Sequence, residues 1–163
     1  TKSVDQTRPV IVNDGWEHTV SDIISLHDYE EFAERFLERY LGHKAEIMSD
    51  EIYHCKDRSA LANGCAYAGQ PIIISEYGGI AFCTESNDEW GYGNAVRSEK
   101  EFLDRYRAIT EAIQKVPYIK GYCYTQLTDV QQEVNGLLRP DRSFKVDPVK
   151  VAEINHEKSA FHE

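Results

Sequence analysis

Short apolar runs alternate with helical stripes along the chain. Pro9 to Val12 (Pro-Val-Ile-Val) ends at Asn13-Asp14-Gly15, which predicts a strand closing in a turn. Ile23 to Leu26 is a second such run, ending at His27-Asp28-Tyr29. Phe32, Phe36, Leu37, Tyr40 and Leu41 then recur at helical spacing, with Asp28 and Glu31 as a capping box and Gly42 as the stop. Residues 43–69 carry little pattern beyond a short helix around Ala60. Pro71 to Ser75 (Pro-Ile-Ile-Ile-Ser) has the uninterrupted β-branched character of a strand buried on both faces. A long loop is predicted from Ile80 to Arg97. Ser98 and Glu101 form a second capping box, opening a helix with the stripe Phe102, Tyr106, Ile109, Ile113 and Val116. Tyr118 to Leu127 reads as a fourth strand, 128–147 as mostly loop, and Asp147-Pro148 as the cap of a last helix.

Strands alternating with helices predict an α/β fold with a parallel sheet and flanking helices. A closed barrel of eight such units takes about 250 residues. The 163 residues here hold about half of one, in a single domain covering 1–163. There is no internal repeat and no linker-like stretch.

Charge narrows the partners. Against 28 acidic residues stand 18 Lys and Arg, a net charge of −10. That argues against nucleic acid and against an anionic membrane surface. No apolar run is long enough to span a bilayer. The four cysteines (Cys55, Cys65, Cys83 and Cys123) show no zinc-ligand spacing. Cys123, in an apolar and aromatic run, reads as a buried thiol. Four free thiols lean towards a reducing, cytoplasmic setting, and no cofactor or metal is expected.

In parallel α/β folds the chemistry gathers beyond the C-terminal ends of the strands. Those positions here hold Asn13, Asp14, Trp16 and Glu17; His27, Asp28 and Tyr29; Glu76 and Tyr77; and Tyr124, Thr125, Gln126 and Asp129. Several have plain structural readings. Asp28 serves equally as a helix cap, His27 as a satisfied core histidine, Trp16 as a cover for the rim or a surface for a sugar. Trp90 and Tyr92 read as loop anchors. Glu76 stands apart, because strand, acid, aromatic and paired glycines coincide there, and a carboxylate so placed is costly without partners.

These residues resemble a family. Ser75-Glu76-Tyr77-Gly78-Gly79 is similar to the nucleophile segment of family 2 glycoside hydrolases, the β-galactosidase and β-glucuronidase group. Thr7-Arg8-Pro9-Val10 resembles the start of that family's fifth barrel strand, and Ser25-Leu26-His27-Asp28-Tyr29 its sixth. Gly121-Tyr122-Cys123-Tyr124-Thr125-Gln126-Leu127-Thr128-Asp129 resembles the eighth. Gly136-Leu137-Leu138-Arg139-Pro140-Asp141-Arg142 looks like the segment closing the barrel. The likeness runs from Thr7 to about Pro148.

The resemblance implies the C-terminal half of a TIM (β/α)8 barrel, strands five to eight, and retaining hydrolysis of a β-glycoside. Glu76 matches the nucleophile and Tyr29 the tyrosine that orients it. Asp14, Trp16 and His27 fall where the family lines its sugar pocket. The family's acid/base glutamate follows an asparagine on the fourth strand. No Asn-Glu pair occurs here, so the chain is expected to begin after that point. Thr125 stands where the family has a tryptophan. Glu133-Val134-Asn135 replaces the asparagine-x-lysine that holds a uronate, which favours a neutral sugar such as galactose. The implied partner is a carbohydrate, together with the missing N-terminal half of the barrel or a second copy, and the chain alone is expected to be inert and self-associating. The alternative is a non-catalytic carbohydrate-binding or scaffolding domain.

Overall fold

In the computed structural model, residues 1–55, 57–82 and 89–156 are described. The elements in chain order are β1 (Ile24–Asp28), α1 (Ala33–Gly42), α2 (Lys44–Met48), β2 (Ile72–Gly78), β3 (Ile80–Phe82), β4 (Tyr92–Val96), α3 (Glu99–Gln114), β5 (Ile119–Thr125) and α4 (Pro148–Asn155). β1, β2 and β5 form a parallel sheet in that order, and β3 pairs with β4, also parallel, as a separate ribbon. The fold is α/β with flanking helices. Ile24, Leu26, Ile72, Ile74 and Ile119 bury one face of the sheet against Phe36 and Tyr40 of α1 and Ile109 and Ile113 of α3. The other end of α3 places Phe102 and Tyr106 against Ile80, Val96 and Ile154. No helix among the described residues is long and apolar enough to cross a membrane.

Pro9–Val12 forms no strand. An apolar run becomes a strand only beside a ladder. Here the Val10 carbonyl accepts from Asp22 N at 2.9 Å and the Val10 N–H donates to the Asp22 carboxylate at 2.7 Å. Ile11 and Val12 stay exposed. The first of the four predicted parallel strands is therefore coil.

Asp28 does not cap α1. It closes β1, where its buried carboxylate accepts from Arg39 Nη1 at 2.6 Å and the Tyr40 hydroxyl at 2.9 Å. Phe32 occupies the N-cap without a side-chain bond. α1 ends at Gly42 as expected, with His43 alone between it and α2, and the helix expected around Ala60 is absent. The cap of α3 is present: Ser98 accepts from Glu101 N at 3.2 Å, while the Glu101 carboxylate takes the N–H of Arg97 rather than that of Ser98. Asp147 caps α4 through Val149 N. The stretch predicted as loop over 80–97 holds β3 and β4, and Cys83 lies outside the described residues.

Cys123 is exposed, and Cys55 and Cys65 are half-buried. Tyr122 and Tyr124 on either side of Cys123 pack on the core, so alternation turns the thiol to the opposite face.

One irregularity decides where Glu76 points. Ile72 and Ile74 are buried core residues, and alternation would continue with residue 76. Instead Leu26 pairs with Ile74 and His27 with Glu76, a register shift that leaves Ser75 as an extra residue. The pairing with β5 slips over the same stretch. This bulge puts Tyr77 into the core and turns Glu76 to the open face.

Candidate functional site

The open face at the C-terminal ends of β1 and β2 borders a cleft of about 770 Å³, lined by residues that include Trp16, Tyr29, Arg58, Glu76 and Tyr92. Glu76, with a side chain 35% exposed, reaches it from β2. The Tyr29 hydroxyl donates to the Glu76 carboxylate, and His27 Nδ1 lies 3.2 Å from the same oxygen. On its far side His27 Nε2 is 3.1 Å from Asp14, whose second oxygen accepts from Ser75 Oγ at 2.7 Å. Ser75 and Glu76, adjacent across the bulge, thus serve one polar chain. An imidazole can donate to both carboxylates at once only when both ring nitrogens carry protons.

Burial, then the hydrogen bond and charge of Glu76, drive the Tyr29 phenol far above the usual tyrosine range. It stays a neutral donor. Partial burial works against ionisation of Asp14, but hydrogen bonds from Ser25, Ser75 and His27 hold its carboxyl below the ordinary range. Burial pushes the Asp28 carboxyl up despite Arg39, and its bonds to Arg39 and Tyr40 tie the end of β1 to α1 at the cleft wall.

Asp14 and Trp16 arrive on the coil that replaces the expected first strand. Gly15 has φ +90°, and a Cβ there would lie 2.6 Å from the His27 ring, so only glycine fits. Its carbonyl accepts from His54 Nε2 at 2.8 Å, and its N–H donates to Ser25 Oγ at 3.1 Å. Burial drops the His54 imidazole to about 4, which keeps it neutral. Trp16 meets His27 edge-on with ring centroids 4.9 Å apart, and the Arg58 guanidinium lies over the indole at 5.2 Å. One face of the indole is therefore taken by Arg58 and not open to a sugar.

The opposite wall comes from the β3–β4 ribbon. Tyr92 stacks on Tyr29, with centroids 3.6 Å apart and planes 8° from parallel. Gly79, at φ +55°, lets this happen: a Cβ there would lie 2.4 Å from Tyr92 and 3.0 Å from Tyr29. Glu31 accepts from Asn94 N at 2.8 Å and from Asn94 Nδ2 at 2.9 Å. Arg105 Nη2 donates to the Tyr92 carbonyl at 3.0 Å.

All five residues expected at the site, Asp14, Trp16, His27, Tyr29 and Glu76, come together around one end of the sheet. Sequence reasoning missed Tyr92, Arg58, Arg39 and His54. Tyr92 had been placed as a loop anchor, and no local pattern ties residue 92 to residue 29. Asp14, His27 and Glu76 each offer one ligand atom within 4.8 Å of the others. The two His27–carboxylate contacts already account for that approach, so the grouping needs no ion to explain it.

The parallel sheet thus presents a hydrogen-bonded carboxylate in a cleft beyond its C-terminal ends, and several solved structures are similar to this chain in fold. The β-D-glucuronidase of Dictyoglomus thermophilum is similar with a TM-score of 0.58 at 14% identity, over 98% of this chain and 28% of that one. A GH2 β-galacturonidase from Eisenbergiella tayi gives 0.56 at 16% identity, over 97% of this chain and 28% of that one. A β-glucuronidase from an uncultured Clostridium sp. gives 0.56 at 14%, over 96% and 28%. No family model matches the chain, and no curated protein does. At these identities the likeness is one of fold, to part of a family 2 glycoside hydrolase.

Proposed function

We propose that this chain is the C-terminal part of the catalytic barrel of a retaining β-glycosidase, with Glu76 as nucleophile. The observation that carries the reading is the Tyr29 phenol donating to the Glu76 carboxylate in the cleft at the C-terminal end of a parallel sheet. A retaining mechanism needs a carboxylate that is ionised, oriented and reachable by the anomeric carbon. Glu76 attacks that carbon as the bond to the leaving oxygen breaks. A second carboxyl, supplied by the strands that complete the barrel, gives the leaving oxygen its proton. Water activated by that same group then attacks the glycosyl ester and frees Glu76. Tyr29, neutral throughout, keeps Glu76 oriented. His27 joins Glu76 to Asp14 along the floor of the sugar pocket.

The glycone in this proposal is neutral, of galactoside type. The acids Asp28, Glu30, Glu31, Asp57 and Glu76 line the cleft with Arg39 and Arg58, and Arg39 is engaged by Asp28 and Glu30. A negative pocket disfavours an anionic sugar. One observation favours a uronide instead: Arg58, over Trp16 and 3.6 Å from Glu17, brings a cation to the rim.

The test uses the full-length protein with aryl β-galactosides and aryl β-glucuronides. Glu76→Gln is expected to abolish turnover of whichever is cleaved, and a 2-deoxy-2-fluoro glycoside to add one sugar mass to the peptide bearing Glu76. Turnover retained by Glu76→Gln overturns the assignment. Sugar binding without turnover in the unaltered protein favours the non-catalytic alternative.

A further inference from the structure

Tyr29 can orient Glu76 only if its own ring is held. A phenol on two rotatable bonds sweeps its hydroxyl through several ångströms unless its ring is packed. Tyr29 lies in neither apolar core. One face of its ring is covered by Tyr92, stacked at 3.6 Å, and the bare Gly79 backbone lies against the edge of both rings. The same chain segment is held a second time two residues on, where Glu31 binds Asn94 through both backbone and side chain. Residues 29 and 31 are thus gripped by 92 and 94.

The ribbon that does the gripping is itself fastened by polar bonds. Tyr92 N donates to the Gly79 carbonyl at 2.8 Å. Arg105, on α3, donates to the carbonyls of Asn94 at 2.7 Å and Tyr92 at 3.0 Å. The two tyrosine hydroxyls are also near enough to influence one another: Tyr92 adds to the forces keeping Tyr29 protonated.

We infer that Tyr92 is a positioning residue for the nucleophile, acting through Tyr29. The inference rests on the glycosidase reading above. Tyr92 fixes the plane and reach of the Tyr29 ring, and Tyr29 in turn fixes the Glu76 oxygen it donates to. A misplacement of about 1 Å at a reacting group can cost ~100-fold in rate, so the clamp acts on turnover more than on substrate affinity.

The experiment has two arms. In the first, the chain carries 3-fluorotyrosine, with the Tyr29 resonance assigned from Tyr29→Phe. Tyr92→Leu is expected to move that fluorine resonance towards its unstructured position, and Tyr92→Phe, which keeps the stack, to restore it. In the second, Tyr92→Leu in the full-length protein is expected to lower kcat for an aryl glycoside by roughly 10- to 100-fold while KM stays within about threefold. Tyr92→Phe recovers most of that rate. Asn94→Ala, which loosens β4 without touching either ring, gives the same pattern more weakly and keeps the test open should Tyr92→Leu fail to fold. A raised KM with unchanged kcat would make Tyr92 a substrate contact and overturn the inference, as would a moved resonance with unchanged kcat. Turnover retained by Glu76→Gln defeats the glycosidase reading instead, and the fluorine arm still reports on the clamp alone.

Discussion

In the β1–β2–β5 sheet, Ile24, Leu26, Ile72, Ile74 and Ile119 are each 1% exposed or less. In the β3–β4 ribbon, Ile80 and Val96 join the second apolar core, while the middle of β4 lies in solvent and is held by bonds from Glu31 and Arg105 to it. Each wall contributes one member of the same pair of stacked tyrosines. Apolar burial makes the first rigid at a cost in tolerance. Polar fastening leaves the middle of β4 able to open locally without unfolding the whole, as regions with few buried apolar contacts do. The cleft therefore has a stiff floor carrying Glu76 and a softer side carrying Tyr92.

The comparison breaks most readily at the core. Ile74→Ala is expected to destabilise the chain by about 2–5 kcal/mol, and Val96→Ala, at the end of β4, by about 1–2 kcal/mol. Urea denaturation measures both. Equal losses would mean that ribbon and sheet unfold as one body.

Lowering the pH asks whether the coil bearing Asp14 and Trp16 belongs with the floor or with the side. His54 bonds that coil through Gly15, and burial lowers its folded value from 6.5 to about 4. The unfolded chain takes up a proton that the fold refuses. The contribution is complete above about pH 6.5 and is lost as pH falls towards 4, amounting to about 3 kcal/mol. Stability curves of the unaltered chain and of His54→Gln should diverge across that window. Parallel curves would show His54 protonated within the fold.

A smaller effect sharpens the picture at the junction of the two walls. Gly79→Ala forces a side chain into positive φ against Tyr92 and Tyr29, and is expected to cost roughly 1–3 kcal/mol. The Tyr29 fluorine resonance should shift while the near-ultraviolet signature of the sheet core persists. A loss of both together would tie the ribbon to the core more tightly than its bonds suggest.

How much of this was legible in the sequence follows the same division. Ile24–Leu26 and Ile72–Ile74 declare themselves as strands because short apolar runs bounded by turn residues pack on a core, although β2 is fully buried on one face only, not on both as its lettering suggests. Pro9–Val12 carries the same lettering and fails, since nothing in a run of four residues reveals whether a neighbour will offer it a ladder. β4 goes unread for the opposite reason: Tyr92-Gly93-Asn94-Ala95-Val96 has poor strand propensity and forms through contacts with Glu31 and Arg105, far away in the chain. Asp28 with Glu31 has the spacing of a cap, but Arg39 and Tyr40 claim the first and Asn94 the second. Glu76, Tyr29 and His27 are legible because position at the end of a strand is a local property, whereas Asp14 follows a run that forms no strand and is placed rightly only through the family resemblance. Tyr92 is not legible, because stacking is not local.

The extra residue at Ser75 makes the location of the acid a matter of counting. Parity along β2 runs core-facing at 72 and 74, and strict alternation through Ser75 would run core-facing at 76. Ironing the bulge flat with all seven residues kept would send the carboxylate among isoleucines and the Tyr77 ring out to the cleft. Taking Ser75 out would not: the pleat would become regular, with Glu76 still on the cleft side and Tyr77 still in the core. What would go is the hydroxyl that Ser75 donates to Asp14. The insertion thus adds a second polar group beside the acid on the same side of the sheet, which an uninterrupted pleat cannot do for two successive residues.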